Sequence, residues 1–244
     1  MIETLHGLVL ERVRHNDKSD IVSLYTRERG RVPFVVQGGQ SRGARMRRAM
    51  LMPLSVVEVT MRSRPSQELQ RFSSLSVVRQ FPSIYGDPVK SAVAIFLREF
   101  LSRLLREYPA DDMLWEYIVR SLAVLDASEG HSTANFHIIF LANLTGPLGI
   151  RPDIERSRSG LPPYFDLRAA AFSLHAPLHH DVLRGEEARI VHLLSRLDFR
   201  NGGRLRLNRM ARQRLLEGLL RFYSLHFSGL DSMRSPEILQ SLFD

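Results

Sequence analysis

Residues 20–37 read DIVSLYTRERGRVPFVVQ, two β-rich runs separated by Glu28-Arg29-Gly30. The connector is short, and its glycine can take the positive φ that a tight hairpin demands. In the second run Val32, Phe34 and Val36 fall on one face and Arg31, Pro33, Val35 and Gln37 on the other, the period of a half-buried strand. Upstream, Thr4–Val13 is another β-rich run, closed by the turn-forming stretch His15 to Asp20. Downstream, Leu54–Arg62 alternates again, with Val57, Val59 and Met61 opposite Glu58, Thr60 and Arg62, and Leu69–Phe81 supplies a fifth run. Five short strands in about 80 residues leave no room for crossover helices, so a small closed barrel or meander is expected. An OB-like barrel, which closes with five strands and binds nucleic acid on an open face, is the natural candidate.

The period changes at Phe81-Pro82-Ser83-Ile84-Tyr85-Gly86-Asp87-Pro88. Asp87 followed by Pro88 is a helix cap with proline at the first helical position. Val93, Phe96, Leu97, Phe100, Leu101 and Leu104 then repeat at helical spacing. Further helices are expected over Asp111–Leu125, Ser132–Leu144, Glu186–Leu197, Asn208–Phe227 and Ser235–Phe243. Residues 151–180 read as an ordered loop with a short hairpin around Tyr164–Leu174. The expected class is α+β, a five-stranded OB-like barrel over 1–80 followed by a mostly helical domain over 81–244.

Apolar residues make up 44% of the 244, enough for a real core. There is no cysteine, which removes disulfides, a thiolate nucleophile and cysteine-ligated metal. The N-terminus is charged too early for a secretory signal, and no run reaches the ~18 apolar residues that would span a bilayer. The expectation is a cytoplasmic protein without a membrane partner.

The net charge is +8, and of 34 basic residues only Lys18 and Lys90 are lysines. Arginine's planar fork suits bidentate phosphate contacts and stacking on bases. A GC-rich genome would also favour arginine, but would spread it evenly. Residues 1–80 instead hold 14 basic against 7 acidic residues, and residues 81–244 hold 20 against 19. The first third of the chain is therefore the expected footprint of a polyanion.

Within it, no acid occurs between Arg29 and Val57. Gly38-Gly39-Gln40-Ser41-Arg42-Gly43-Ala44-Arg45-Met46-Arg47-Arg48 reads as a flexible cationic loop able to follow a phosphate backbone, and its missing GK[ST] ending excludes a P-loop. The alternative is a solvated loop that is merely basic. Candidate nucleic-acid-binding residues are Arg29, Arg31, Arg42, Arg45, Arg47, Arg48, Arg62 and Tyr25. Of the strand aromatics Tyr25, Phe34 and Phe72, Phe34 belongs with the core face, while Tyr25 is the better placed to line a surface and stack on a base. A second basic run, Arg204, Arg206, Arg209, Arg212 and Arg214, has no acid between Asp198 and Glu217. It could contact phosphate, receive an acidic peptide, or be a solvated helix face. Local stability does not ask for it, because cations oppose the dipole at a helix N-terminus.

His175, His179, His180 and Asp181 invite a metal reading, but the adjacent histidines diverge on any regular element and no HExxH or H-x-E pattern occurs. Asp111/Asp112 and Glu186/Glu187 sit at helix starts, where capping accounts for them. Ser132, Ser157 and Ser159 lie in no nucleophile elbow. No catalytic constellation is evident, so neither an enzyme nor a metal or other cofactor is expected.

In order and spacing, several segments resemble the RecO family of bacterial recombination mediators. These are Gly7–Gly30; Gly43-Ala44-Arg45 leading to Leu51-Met52-Pro53-Leu54; Leu148–Ile154; Tyr164-Phe165-Asp166; and the closing Ser232–Leu239. The resemblance implies an N-terminal OB-fold and a C-terminal helical domain. It also implies binding of single- and double-stranded DNA, strand annealing, and docking on the acidic C-terminal tail of single-stranded-DNA-binding protein. With the partner RecR, such a protein helps exchange that coat for the RecA recombinase. Many relatives carry four cysteines as a zinc site, near the region held here by Ser157 and Gly160; this chain departs from them, and no zinc is expected. The rival expectation is a protein-interaction module whose basic surface receives acidic tails. A metal-dependent hydrolase on His175, His179, His180 and Asp181 is a third.

Overall fold

The computed structural model describes residues 2–16, 18–37, 41–63, 67–153 and 163–241. Contacts divide the chain into two units, 1–126 and 127–244.

In the first unit the long strand β1 (Ile2–Asn16) pairs antiparallel on both sides: residues 2–8 with β4 (Val56–Arg62), and residues 7–16 with β2 (Ser19–Thr26). A bulge between Val9 and Glu11 bends it where it changes partner, which curls the sheet. With β3 (Gly30–Gln37) and β5 (Phe72–Arg79) the order is β3-β2-β1-β4-β5. The five expected strands are present. Closure is not complete: among the described residues β3 and β5 share no ladder. Among the described residues their backbone link is through Gln70, whose N–H donates to Pro33 O at 3.0 Å and whose carbonyl accepts from Val35 N at 2.9 Å. The OB-like sheet is therefore open along most of that seam.

The alternating positions behave as the period requires. Val32, Phe34, Val36, Val57, Val59 and Met61 point inward with Leu5, Val9, Val22, Leu24 and Leu51 to make the interior. Phe34 is fully buried, its ring 6.0 Å from that of Phe72. Gly30 sits at φ +69°, and a Cβ there would come within 2.9 Å of Tyr108 O, so both conformation and space demand glycine.

The stretch expected as a flexible loop forms helix α1 (Arg42–Met50) from Arg42 onward; Gly38, Gly39 and Gln40 lie outside the described residues. Ser41 Oγ accepts from Ala44 N at 3.2 Å, and Ala, Met and Arg are good helix formers. After α2 (Pro82–Gly86), helix α3 (Pro88–Leu104) starts as expected, with Asp87 Oδ1 accepting from Lys90 N at 2.9 Å and Pro88 in the first turn. Its stripe of Val93, Phe96, Leu97, Phe100, Leu101 and Leu104 is buried. Helix α4 (Asp112–Ala127) follows a cap from Asp111 Oδ1 to Leu114 N at 2.8 Å.

In the second unit the expected helix over Ser132–Leu144 is two, α5 (Gly130–Ala134) and α6 (Phe136–Leu144). The break falls at fully buried Asn135, whose side chain bonds to Leu205 O and Arg212 instead of continuing one helix. The hairpin near Tyr164 gains a third strand: β6 (Tyr164–Asp166) lies between β7 (Ala171–Ser173) and β8 (Val182–Arg184). Helices α7 (Glu186–Leu194), α8 (Arg209–His226) and α9 (Ser235–Ser241) complete the unit, with Leu215, Leu219, Phe222 and Tyr223 of α8 buried as expected. Ser157 and Gly160 lie outside the described residues. No described helix is long and apolar enough to cross a membrane.

Candidate nucleic-acid interface

The open seam between β3 and β5 is also the mouth of a groove of about 1040 Å³. The β1–β2 turn, the end of β3, α1 and the start of β5 line it. Its cations are Lys18, Arg47 and Arg71, its apolar contacts include Met46, Met50 and Phe72, and Asn16, Ser19, Ser73 and Ser74 add hydrogen-bonding groups. Among the described residues no aspartate or glutamate lines it. The backbone that carries each cation is set by local structure. Asn16 Oδ1 accepts from Lys18 N and Ser19 Oγ, both at 2.9 Å, and so shapes the turn. Gln70, bonded to β3, fixes the backbone beside Arg71, and α1 carries Arg47. A groove with cations, an aromatic edge and, among its described lining residues, no carboxylate suits a flexible polyanion with flat bases.

The sequence candidates divide sharply on this frame. Arg42 and Arg45 are exposed on the outer side of α1, opposite buried Ala44, and Arg47 and Arg48 are half-buried on the same helix. These four do lie together. Arg62 is exposed at the end of β4. Arg29 is drawn to Glu3 (3.3 Å) and Ser63 Oγ (3.0 Å) near the β2–β3 turn.

Arg31 and Tyr25 lie apart from the groove. The Arg31 guanidinium donates to Ser102 O at 2.5 Å, near the C-terminal end of α3, and sits 3.5 Å from Glu11. There it meets the negative end of a helix dipole rather than a phosphate, and burial lowers its pKa. Tyr25 is fully buried against Trp115, and its hydroxyl donates to Pro109 O at 3.1 Å. It presents no face to a base. Phe72, half-buried at the groove, is the aromatic that the fold leaves in reach. Lys18 and Arg71 do not stand out in the sequence, because neighbouring acids, Asp17, Asp20 and Glu68, dilute their local charge; pairing of the strands brings them together.

In the second unit Arg204, Arg206 and Arg209 are exposed, but Arg212 turns inward. Its Nε donates to Asn135 Oδ1 at 3.0 Å and its second nitrogen to Leu207 O at 3.2 Å, and burial lowers its pKa. Local stability does ask for this arginine. Beside it, burial and the Arg212 charge hold His137 neutral, its pKa down to about 3. Asp181, offered by sequence for metal, is bound by Arg168 Nε (2.6 Å) and Arg221 Nε (2.8 Å). Hydrogen bonds from Arg221 and Arg168 hold its pKa low. His179 contacts Asp166 at 3.2 Å, and among the described residues no three metal-ligating side chains converge.

The family model described as Recombination protein O N terminal matches residues 1–81, and the one described as Recombination protein O C terminal matches residues 85–234. The chain belongs to the RecO family. Proteins named DNA repair protein RecO are similar along its whole length. That of Phocaeicola vulgatus is 35% identical over 243 residues, and that of Porphyromonas gingivalis strain W83 is 32% identical over 246, with all of each chain covered. The Flavobacterium psychrophilum protein is 29% identical over 239 residues, 97% of each chain. RecO-family membership assigns the chain to DNA repair and recombination. The described residues that line the groove all fall within the segment that the N-terminal RecO model covers.

Proposed function

We propose that the chain is a DNA-binding recombination mediator that anneals single strands and, with RecR, helps load the RecA recombinase onto DNA coated by single-stranded-DNA-binding protein. It works without a catalytic step of its own, on DNA in the bacterial cytoplasm. Residues 1–80 form the nucleic-acid-binding domain, and 81–244 serve partner docking. The observation that carries the reading is the groove with Lys18, Arg47 and Arg71 and no acid among its described lining residues, bordered by the arginines of α1. Phosphate contacts of this kind give affinity through counterion release and carry little sequence information.

Support for the tail contact comes from the second unit. A narrow crevice there is lined by Phe165, Leu167, Leu183, Leu219 and Phe222, with the exposed guanidinium of Arg151 beside them. Apolar walls with one cation fit a peptide that ends in acids and phenylalanine. The enclosed space is only about 30 Å³, so a ring enters only by displacing side chains such as Leu219.

The exposed arginines would equally attract an acidic protein tail, which keeps the interaction-module reading as the rival. Anisotropy titrations of the full chain with a labelled single-stranded oligonucleotide and with an acidic, Phe-ended peptide separate the two. Binding of both is the expected result. Peptide binding without oligonucleotide binding, even at low salt, would overturn the mediator reading in favour of the rival.

A further inference from the structure

The second unit carries a cationic ledge that the groove does not explain. From Arg189 to Arg214 the only acid is Asp198, and its carboxylate is turned to backbone: Oδ1 accepts from Arg200 N at 2.9 Å and Asn201 N at 3.1 Å. The next residues are docked tightly. Gly202, in a 3₁₀ turn with Gly203 and Arg204, lies so close to α6 that a Cβ there would sit 2.2 Å from Ile139 Cδ1. The chain then runs extended from Leu205 (φ −68°, ψ 112°) to Asn208 (φ −73°, ψ 169°).

Both inner carbonyls of that segment are tied down. Leu205 O accepts from Asn135 Nδ2 at 2.7 Å, and Leu207 O accepts from Arg212 at 3.2 Å. Leu205 is buried, while Arg204, the last residue of the 3₁₀ turn, and Arg206, in the extended stretch, are exposed on either side of it. Arg200, Arg209 and Arg214 are exposed nearby in sequence. A solvated helix face would need no such fixing. Here one buried asparagine, one inward arginine and one obligatory glycine hold two outward arginines on a rigid strip. Pre-ordered cations lose less freedom when they bind an extended row of phosphates.

We infer that the 204–206 strip is a second seat for a nucleic-acid strand, separate from the groove of the first unit, so that one chain carries two strands at once. The inference rests on the reading of the protein as DNA-binding and deepens it. A protein that holds two strands on one chain raises their effective concentration for pairing.

Native mass spectrometry with single strands of about ten nucleotides, the scale of one such site, counts strands per full-length chain. The expected result is two strands per native chain, one per Arg204→Ala/Arg206→Ala chain, and two again with lysine at both positions. The lysine variant also guards against simple misfolding. One strand per native chain, or two on the alanine variant, would overturn the second seat and leave the groove standing. No strand on the native chain would overturn both.

Discussion

Arg31 and Arg212 show why residue type alone does not mark a binding site. Each stands in a basic run, and each gives its guanidinium to a carbonyl of the same chain: Ser102 O for Arg31, Leu207 O for Arg212. A bond to a charged donor contributes roughly 1.5–3 kcal/mol, enough to keep these side chains home. Arg42 and Arg45 have their side chains in solvent. Tyr25 belongs with the first group. Tyr25→Phe removes the bond to Pro109 O and should lower unfolding free energy by about 1 kcal/mol. DNA affinity should be unchanged, because the ring stays buried against Trp115. Denaturant melts and anisotropy on the same preparation check both halves. A tenfold loss of affinity with unchanged stability would restore Tyr25 as a base contact.

At the scale of elements, legibility in the sequence followed the kind of signal available. The alternation in Val32–Val36 and Val57–Met61, and the Asp87-Pro88 start of α3, are local patterns, and the elements formed where those patterns lie. Helix α1 was not legible, because Gly38, Gly39 and Gly43 around scattered arginines have the composition of a loop. What outweighs them is a capped turn at Ser41 and one buried residue, Ala44. The break at Asn135 was hidden for a different reason: its partners, Leu205 and Arg212, are 70 and 77 residues away. Since α1 is short, its cap should matter. Ser41→Ala should cost about 1 kcal/mol of helix stability and weaken oligonucleotide binding several-fold as Arg45 and Arg47 lose their framework. Ser41→Asp, which keeps a capping acceptor, should retain the helix. Equal binding by native protein and Ser41→Ala would mean that α1 does not organise the interface.

For the whole molecule, the positive charge of the first 80 residues was visible in composition, but its focus was not. The groove draws Lys18 from a turn, Arg47 from a helix and Arg71 from the approach to an edge strand, three places far apart in sequence. Folding gathers part of a diffuse +7 into one groove, and this is the step from sequence to function that periodicity alone does not reach. The most direct test of the central claim is the salt dependence of single-strand binding, compared between the native chain and Lys18→Ala/Arg47→Ala/Arg71→Ala. Each phosphate contact on a single strand contributes about 0.7 to the slope of log K against log salt, so loss of three should flatten it by about 2. Weaker binding with that flatter slope is the predicted result. An unchanged slope in a folded triple variant would contradict the groove as the seat of the strand.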